Sequence, residues 1–296
     1  MTHKIIVIGS ASMDLTVQTK VIPEQGETVL GDTLLMAPGG KGANQAVAAA
    51  RLKRNQAVYM IGAVGDDAFG KTIMDNMRQY GVNTTYMQTI TGEHSGTAHI
   101  TLYDKDNRII VVPAANNYIS PEVVLPILQK FERGDIIIMQ QEIPAETVEA
   151  VIEEATQLGL QVILNPAPYR LIDNKLLEQV TYLTPNESEC RQLFDGEISD
   201  VIARYPRKLI VTLGAEGAMY FDQTQRIVPA YPCEVVDTTG AGDTFNGALA
   251  VALSEGQSLE SALEFANMAS SFAVRKMGAQ GGIPTREAVD QALMEN

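Results

Sequence analysis

The chain has 296 residues, 45% hydrophobic and 20% charged, an ordinary globular balance with enough apolar material for a sizeable core. A formal net charge of -14 repels polyanions, so neither nucleic acid nor an anionic membrane is an expected partner. The two cysteines, Cys190 and Cys233, show no metal-ligand spacing and imply a reducing compartment rather than a disulfide framework.

The start of the chain, through Ile8, carries too short an apolar run for a signal peptide, and Gly9 ends it. No apolar stretch approaches the roughly 20 residues that span a membrane, so a cytoplasmic protein is expected. Ile5–Ile8 predicts the first strand. Leu15–Gln18 and Thr28–Met36 follow as strands with no helix between them. The helix Ala43–Leu52, the strand Val58–Ile61 and the helix Asp67–Tyr80 come next, with Gly81 placed as a helix stop. Ala98–Tyr103 and Arg108–Val112 read as a hairpin about a turn at Asp104–Asn107. Strands and helices then alternate. Helix Pro121–Phe131 has Ser120 as its N-cap and Pro121 at its first position, and strand Ile136–Met139 follows. Helix Pro144–Leu158 is closed by Gly159 and leads to the strands Val162–Leu164 and Tyr182–Leu183. Helix Glu187–Phe194 and the strands Leu209–Leu213 and Ala218–Phe221 come next. The last third adds the helices Asp243–Ser254, Leu259–Arg275 and Thr285–Met294.

Repeated strand–helix–strand units predict an α/β fold with a mainly parallel central sheet and helices on both faces. One domain over residues 1–296 is expected, with no linker or internal repeat. The segments at about 12–18, 28–37 and 96–112 break the rhythm and predict a small antiparallel sheet inserted near the front.

Polar residues cluster where strands end. Asp14 comes shortly after the first strand, Glu142 after Ile136–Met139, Asn165 after Val162–Leu164 and Asn186 after Tyr182–Leu183, while Gly214 follows Leu209–Leu213. Ligands of open α/β sheets bind outside the carboxyl ends of the strands, so these residues predict one binding rim. Turn residues would explain any one of them, but Gln140-Gln141-Glu142 is not needed to turn the chain before Ile143-Pro144.

The strongest segment is Asp237-Thr238-Thr239-Gly240-Ala241-Gly242-Asp243-Thr244-Phe245-Asn246-Gly247, whose Gly-Ala-Gly turn opens directly into an apolar helix. Backbone N–H groups at a helix N-terminus, backed by the helix dipole, bind anions. Gly240, Ala241 and Gly242 are therefore the candidate anion hole. Asp243 beside them is a candidate base, able to take a proton from a hydroxyl while the hole stabilises a transferring phosphoryl group. The competing reading is a tight turn with Asp243 as a plain cap. Pro38-Gly39-Gly40-Lys41-Gly42-Ala43-Asn44-Gln45 allows close backbone approach, and its Lys, Asn and Gln side chains can reach hydroxyl groups. It is not a Walker A loop, and no dinucleotide fingerprint follows the first strand. Asn186 and Glu189 stand three apart at a helix start, as a hydrated Mg²⁺ site or as a cap with its first-turn acid. Thr212-Leu213-Gly214 is a strand end with a glycine turn. His3, His94 and His99 share no metal spacing.

These segments, in this order and over nearly the whole chain, resemble the ribokinase-like carbohydrate kinase family, which also contains fructokinases and nucleoside kinases. Gly9-Ser10, Asn165-Pro166-Ala167-Pro168 and Lys276-Met277-Gly278-Ala279-Gln280 belong to the same pattern. The Lys41-Gly42-Ala43-Asn44-Gln45 version looks like the members that phosphorylate ribose. The resemblance implies that Asp14, Gly40, Lys41, Asn44 and Glu142 grip sugar hydroxyls, that Asp243 activates the terminal hydroxyl, and that Gly240, Ala241 and Gly242 hold the γ-phosphate of ATP. It implies Mg²⁺ near Asn186 and Glu189. It implies nucleotide contacts at Thr212, Gly214, Ala215, Glu216, Gly217 and Asn267. A monovalent cation, potassium, would be held by Asp237, Thr239, Ala273, Lys276, Gly278 and Gly282. The inserted strands would form a lid over the sugar that in the family also pairs with a second subunit, giving a homodimer.

Three departures stand out. Ser12 occupies a sugar-contact position where the family usually carries Asn, which leaves 2-deoxyribose, or another pentose or nucleoside, as the alternative substrate. Asn267 replaces a His often found against the adenine. The stretch between Phe194 and Lys208 is short, so a trimmed peripheral helix is expected. A catalytically idle sugar-binding regulator on the same fold would have no use for Asp243 beside an intact Gly-Ala-Gly.

Overall fold

The structure, a computed structural model, describes residues 3–104 and 106–295. In chain order the first half comprises β1 (Ile5–Ile8), β2 (Ser12–Gln18), β3 (Thr33–Gly39), α1 (Lys41–Leu52), β4 (Val58–Gly65), α2 (Ala68–Gln79), β5 (Asn83–Ile90), β6 (Gly96–Tyr103) and β7 (Asp106–Val112). Next come α3 (Pro121–Leu128), β8 (Ile136–Met139), α4 (Ala145–Leu158), β9 (Gln161–Leu164), α5 (Asn174–Leu177), β10 (Tyr182–Leu183), α6 (Glu187–Leu193) and α7 (Ile198–Arg204). The chain ends with β11 (Val211–Thr212), β12 (Ala218–Asp222), β13 (Thr224–Val228), α8 (Ala241–Ser254), α9 (Leu259–Ala273) and α10 (Arg286–Glu295).

The central sheet runs β10-β9-β8-β1-β4-β5, all parallel. Strand side chains alternate between faces, and both faces here are covered. Ile5 and Val7 pack into a core with α1, α2, α8, α9 and α10. Ile6 and Ile8 pack into a second core with α3, α4, α5, α6 and α7. Helices on both faces are thus as expected.

Some elements differ from the expectation. β5 was not foreseen because its sequence, Asn-Thr-Thr-Tyr-Met-Gln-Thr-Ile, is largely polar; it forms the sheet edge, where only one side is paired. The short Phe194–Lys208 stretch still holds a helix, α7, whose Val201 and Ile202 fill the second core. Leu209–Leu213 is not one continuous strand. Only Val211–Thr212 pairs regularly, with β12, while Leu209 and Thr212 make single parallel bridges to Leu183 and Asn186.

The inserted sheet has the order β3-β2-β6-β7. The β2–β3 and β6–β7 pairings are antiparallel as expected, and β2 runs parallel to β6. The expected turn Asp104–Asn107 contains Lys105, which lies outside the described residues, as do Met1, Thr2 and Asn296.

The contact that positions the site is the crossing of α1 and α8. Both are rich in small residues: α1 carries Ala46, Ala48, Ala49 and Ala50, and α8 carries Gly247, Ala248, Ala250 and Ala252. A methyl group on Gly247 would stand 2.7 Å from Ala48 Cβ and 2.8 Å from the Gln45 carbonyl oxygen. Gly247 lies one helical turn below Asp243, so this close approach sets the distance from α1 to that carboxylate. Gly247→Ala should therefore cost about 1–3 kcal/mol of stability through overpacking. It should also lower turnover by moving Asn44 and Gln45 away from Asp243. Urea unfolding beside initial rates checks this; a variant with unchanged stability and turnover contradicts it.

Candidate active site

β1 lies where the chain order reverses, with β4 on one side and β8 on the other, and clefts form at such switch points. Across this point Glu142, just beyond β8, accepts hydrogen bonds from the Ser10 hydroxyl and from the Lys41 N–H, the latter at 3.1 Å. One carboxylate thus ties the end of β1 to the start of α1.

Three pockets follow one another along the rim. The first, about 140 Å³, is lined by Ser12, Asp14, Gly40, Lys41, Asn44, Glu142 and Asp243, and by Ile100, Ile109 and Val111 of the inserted sheet. It gathers every residue expected to grip the substrate. The second, about 230 Å³, shares Lys41, Gly240 and Asp243 with the first and adds Asn186, Glu189, Thr212 and Gly242. The third, about 520 Å³, shares Asn186, Thr212 and Gly242 with the second and extends to Gly214, Gly217, Ala241 and Asn267. Ala215 and Glu216 do not join it. They are exposed on the short turn Gly214–Glu216, which points the pair outward.

Asp243 is buried, with 8% of its surface exposed. It is the third residue of α8, whose N-cap is Gly240. The carboxylate does not fold back as a cap. Its Oδ2 accepts from Asn44 Nδ2 at 3.0 Å and its Oδ1 from Gln45 Nε2 at 2.9 Å. Gly240 has φ +77, and a Cβ there would meet the Ala279 carbonyl oxygen at 2.4 Å, so only glycine fits the turn. The Ala241 N–H already donates to the Thr238 carbonyl at 3.2 Å. Within the expected anion hole the open donors are therefore those next along, since the first N–H groups of a helix lack intrahelical partners.

The first pocket is crowded with carboxylates. Burial, and then the charges of Glu142 and Asp243, push the Asp14 carboxyl up to about 6, although Lys41 and a hydrogen bond from Ser12 oppose this. Burial works against the Lys41 ammonium, but Asp243, Glu142, Glu189 and Asp14 outweigh it and raise its pKa.

Asn186 and Glu189 form a reciprocal capping box on α6. Asn186 Oδ1 accepts from the Glu189 N–H at 2.8 Å, and Glu189 Oε2 accepts from the Asn186 N–H at 2.9 Å. The cap and the pocket wall are the same two residues. Burial raises the Glu189 carboxyl, against the Asn186 N–H and Lys41. Asn267 Nδ2 donates to the carbonyls of Val228 and Pro229, so its amide fastens β13 to α9 at the edge of the third pocket.

The residues expected to hold a monovalent cation come together only in part. Asp237 accepts from the Thr239 N–H and hydroxyl and, at 2.8 Å, from the Gly278 N–H. Burial alone would raise its pKa, but these hydrogen bonds outweigh it and lower it. Gly282 packs on the Ala273 carbonyl, where a Cβ would come within 2.0 Å. Lys276 is exposed.

With this geometry in hand, the likeness to known proteins is specific. The model of the pfkB family of carbohydrate kinases matches residues 2–286. The chain belongs to that family. It is 50% identical to a ribokinase of Bacillus subtilis (strain 168) over 293 residues, covering 98% of this chain and 99% of that one. It is 35% identical to a deoxyribokinase of Salmonella typhi over 305 residues, covering 99% of each chain. Among solved structures it is similar to an Arabidopsis thaliana ribokinase complexed with ribose and ATP, with a TM-score of 0.89, 35% identity and 99% of each chain covered.

Several contacts that shape the site of this carbohydrate kinase are not marked in the sequence. Gln45, expected to reach hydroxyl groups, instead turns its side chain to Asp243 and lines none of the three pockets. Asn116 bridges Ala11 through both its N–H and C=O and lines the first pocket. Asn246 accepts from the Thr184 hydroxyl and donates to the Gly242 carbonyl beside the second pocket. Gln45 and Asn116 act on distant segments, which no local signal marks, whereas Asn246 also bonds Gly242 within its own segment.

The raised Asp14 pKa has a stability consequence. Its folded value lies above its unfolded value, so the ionised group destabilises the fold above pH 6, and the penalty fades as pH falls toward 4. Asp14→Asn should stabilise the protein at pH 8 by the order of 1–3 kcal/mol, with the gain vanishing near pH 4. Thermal unfolding across that range is the check. A variant less stable than wild type at pH 8 contradicts it.

Proposed function

We propose that this chain transfers the γ-phosphoryl group of ATP to the 5-hydroxyl of D-ribose, giving ribose 5-phosphate and ADP. The observation that carries the reading is Asp243 at the junction of the first two pockets, with the third leading away from it. The ribose and ATP bound to the Arabidopsis relative support the same assignment.

In this reading ribose fills the first pocket. Asp14, Asn44, Gly40, Lys41 and Glu142 pair its hydroxyls, and Ser12 meets one edge directly or through water. ATP lies along the second and third pockets, past Asn186, Thr212, Gly214 and Gly217, with its base toward Asn267. Asp243 takes the 5-hydroxyl proton as that oxygen attacks the γ-phosphorus, and the bond to the ADP oxygen breaks. The turn at Gly240, Ala241 and Gly242 and the α8 dipole stabilise the charge that develops. Mg²⁺, when bound, screens the phosphate charge. The Glu189 carboxylate, raised by burial and facing the second pocket, suits it together with Asn186 and intervening waters. Free Cys190 and Cys233 accord with a cytoplasmic setting.

Initial rates over a pentose panel with ATP test the function, and the position of the new phosphate on the product tests the chemistry. Ribose should be the better substrate than 2-deoxyribose. The reverse ranking favours the deoxyribokinase reading that Ser12 leaves open. Asp243→Asn should bind ribose with little change and lose roughly 10²–10⁴ in kcat, the usual weight of a general base; near wild-type turnover contradicts the role.

We also assign potassium to the loop of Asp237, Thr239, Ala273, Lys276, Gly278 and Gly282, where it would add positive field beside Gly240–Gly242. Asp237, kept ionised by its hydrogen bonds, suits a cation. Rates should rise when potassium replaces tetramethylammonium; equal rates contradict the assignment.

The inserted sheet acts as a lid and as a dimer surface. Ile109 and Val111 line the sugar pocket, while Ile110, on the same strand, is 70% exposed, and Leu34, Leu35 and Met36 are exposed on β3. So much open apolar surface calls for a cover, which isologous pairing with a second copy supplies. Sedimentation should find a dimer at micromolar concentration; a monomer throughout contradicts this.

A further inference from the structure

A chain of buried amides reaches Asp243 from behind; its two glutamines line none of the three pockets, while Asn165, which one of them also holds, lines the second. Gln45 Nε2 donates to Asp243 Oδ1 at 2.9 Å and to Asn165 Oδ1 at 3.2 Å. Gln45 Oε1 in turn accepts from Gln140 Nε2 at 2.7 Å. Both glutamines are fully buried. The direction of this chain is imposed by its end. A carboxylate only accepts, so Gln45 must present its NH₂ to Asp243, and its oxygen must then face Gln140.

The far end shows what this direction costs. Gln140 Oε1 is buried with no hydrogen-bond partner among the described residues. Turning the Gln140 amide over would set its oxygen against the Gln45 oxygen and break the chain. Space is also reserved for it: a Cβ on Gly9 would fall 2.1 Å from Gln140 Oε1. A glutamine kept only for packing would have no reason to hold an unpaired oxygen in that orientation.

We propose that Gln45, locked by Gln140, is a positioning residue that fixes the rotation of the Asp243 carboxylate, so that the base presents its remaining lone pairs to the sugar hydroxyl. This rests on the reading of Asp243 as the base. Asn44 holds the other oxygen, but it also lines the sugar pocket, whereas Gln45 and Gln140 touch neither substrate site. The contribution of Gln45 is therefore separable from sugar binding. The charged groups around Asp243 are Lys41 from α1, Asp14 from β2 and Glu142 beyond β8, with Glu189 of α6 acting on Lys41. None of them is altered by substitution at Gln45 or Gln140.

The test compares Gln45→Leu and Gln140→Leu with the wild type by initial rates across pH, by calorimetry of ribose binding and by thermal unfolding. Gln45→Leu should lower kcat by roughly 10- to 100-fold through misplacement of the base. The acid limb of its kcat profile should move to higher pH, because a hydrogen bond to the ionised carboxylate is gone. Its ribose affinity should stay close to that of the wild type. Gln140→Leu should show a smaller change in the same sense. If Gln45→Leu does not fold, Gln140→Leu decides alone. Lower melting temperatures with an unmoved acid limb and unchanged kcat overturn the proposal, as does a loss that falls on ribose affinity instead of kcat. A wild-type protein that does not turn over ribose with ATP would instead remove the underlying reading of Asp243.

Discussion

The structure depends on how a buried carboxylate is held at the α1–α8 crossing. Asp243 is almost out of solvent, and burying an unpaired charge is prohibitive. Its two oxygens are satisfied by two neutral amides, Asn44 and Gln45, adjacent in sequence on one helix. A direct ion pair would hold the group as firmly but would weaken it as a proton acceptor. Amide donors fix its orientation without cancelling its charge. The small residues along both helices follow from this, because longer side chains would separate the donors from the acceptor.

The same economy runs through the cleft. Three carboxylates, Asp14, Glu142 and Asp243, share the first pocket with one ammonium, Lys41. Such a pocket suits a neutral polyol, whose hydroxyls donate to the carboxylates, and repels a bare anion. Anionic phosphates must then be met elsewhere, at the glycine turn that opens α8. Lys41 stands between the two environments and lines both the first and second pockets. Separating acceptors from anion-binding groups on either side of Asp243 gives the cleft its polarity.

Much of this was legible in the sequence, for physical reasons. Four-residue runs such as Ile5–Ile8 and Ile136–Met139 are buried on both faces and can be little else than parallel strands. The polar residues Glu142, Asn165 and Asn186, beyond β8, β9 and β10, stand along the pockets because the topology sends every parallel strand's carboxyl end the same way. What could not be read was the direction of side chains. Gln45 meets Asp243 across 198 residues of chain and Gln140 across 95, and nothing local distinguishes its amide from that of Asn44. Polar edge strands such as β5 were missed because an edge does not require the apolar signature used to find strands. The Asn186–Glu189 pair was open between cap and ligand, and the structure makes it a cap that also walls the second pocket.

For phosphoryl transfer to ribose, Asp243 must face the hydroxyl that receives the phosphoryl group. A crystal structure of the protein with ribose and a non-hydrolysable ATP analogue tests it most directly. The 5-hydroxyl oxygen should lie within hydrogen-bond reach of the Asp243 carboxylate, at about 2.6–3.2 Å, and in line with the γ-phosphorus. A ribose bound with its 5-hydroxyl turned toward the lid, or a γ-phosphate away from the Gly240–Gly242 turn, would contradict it.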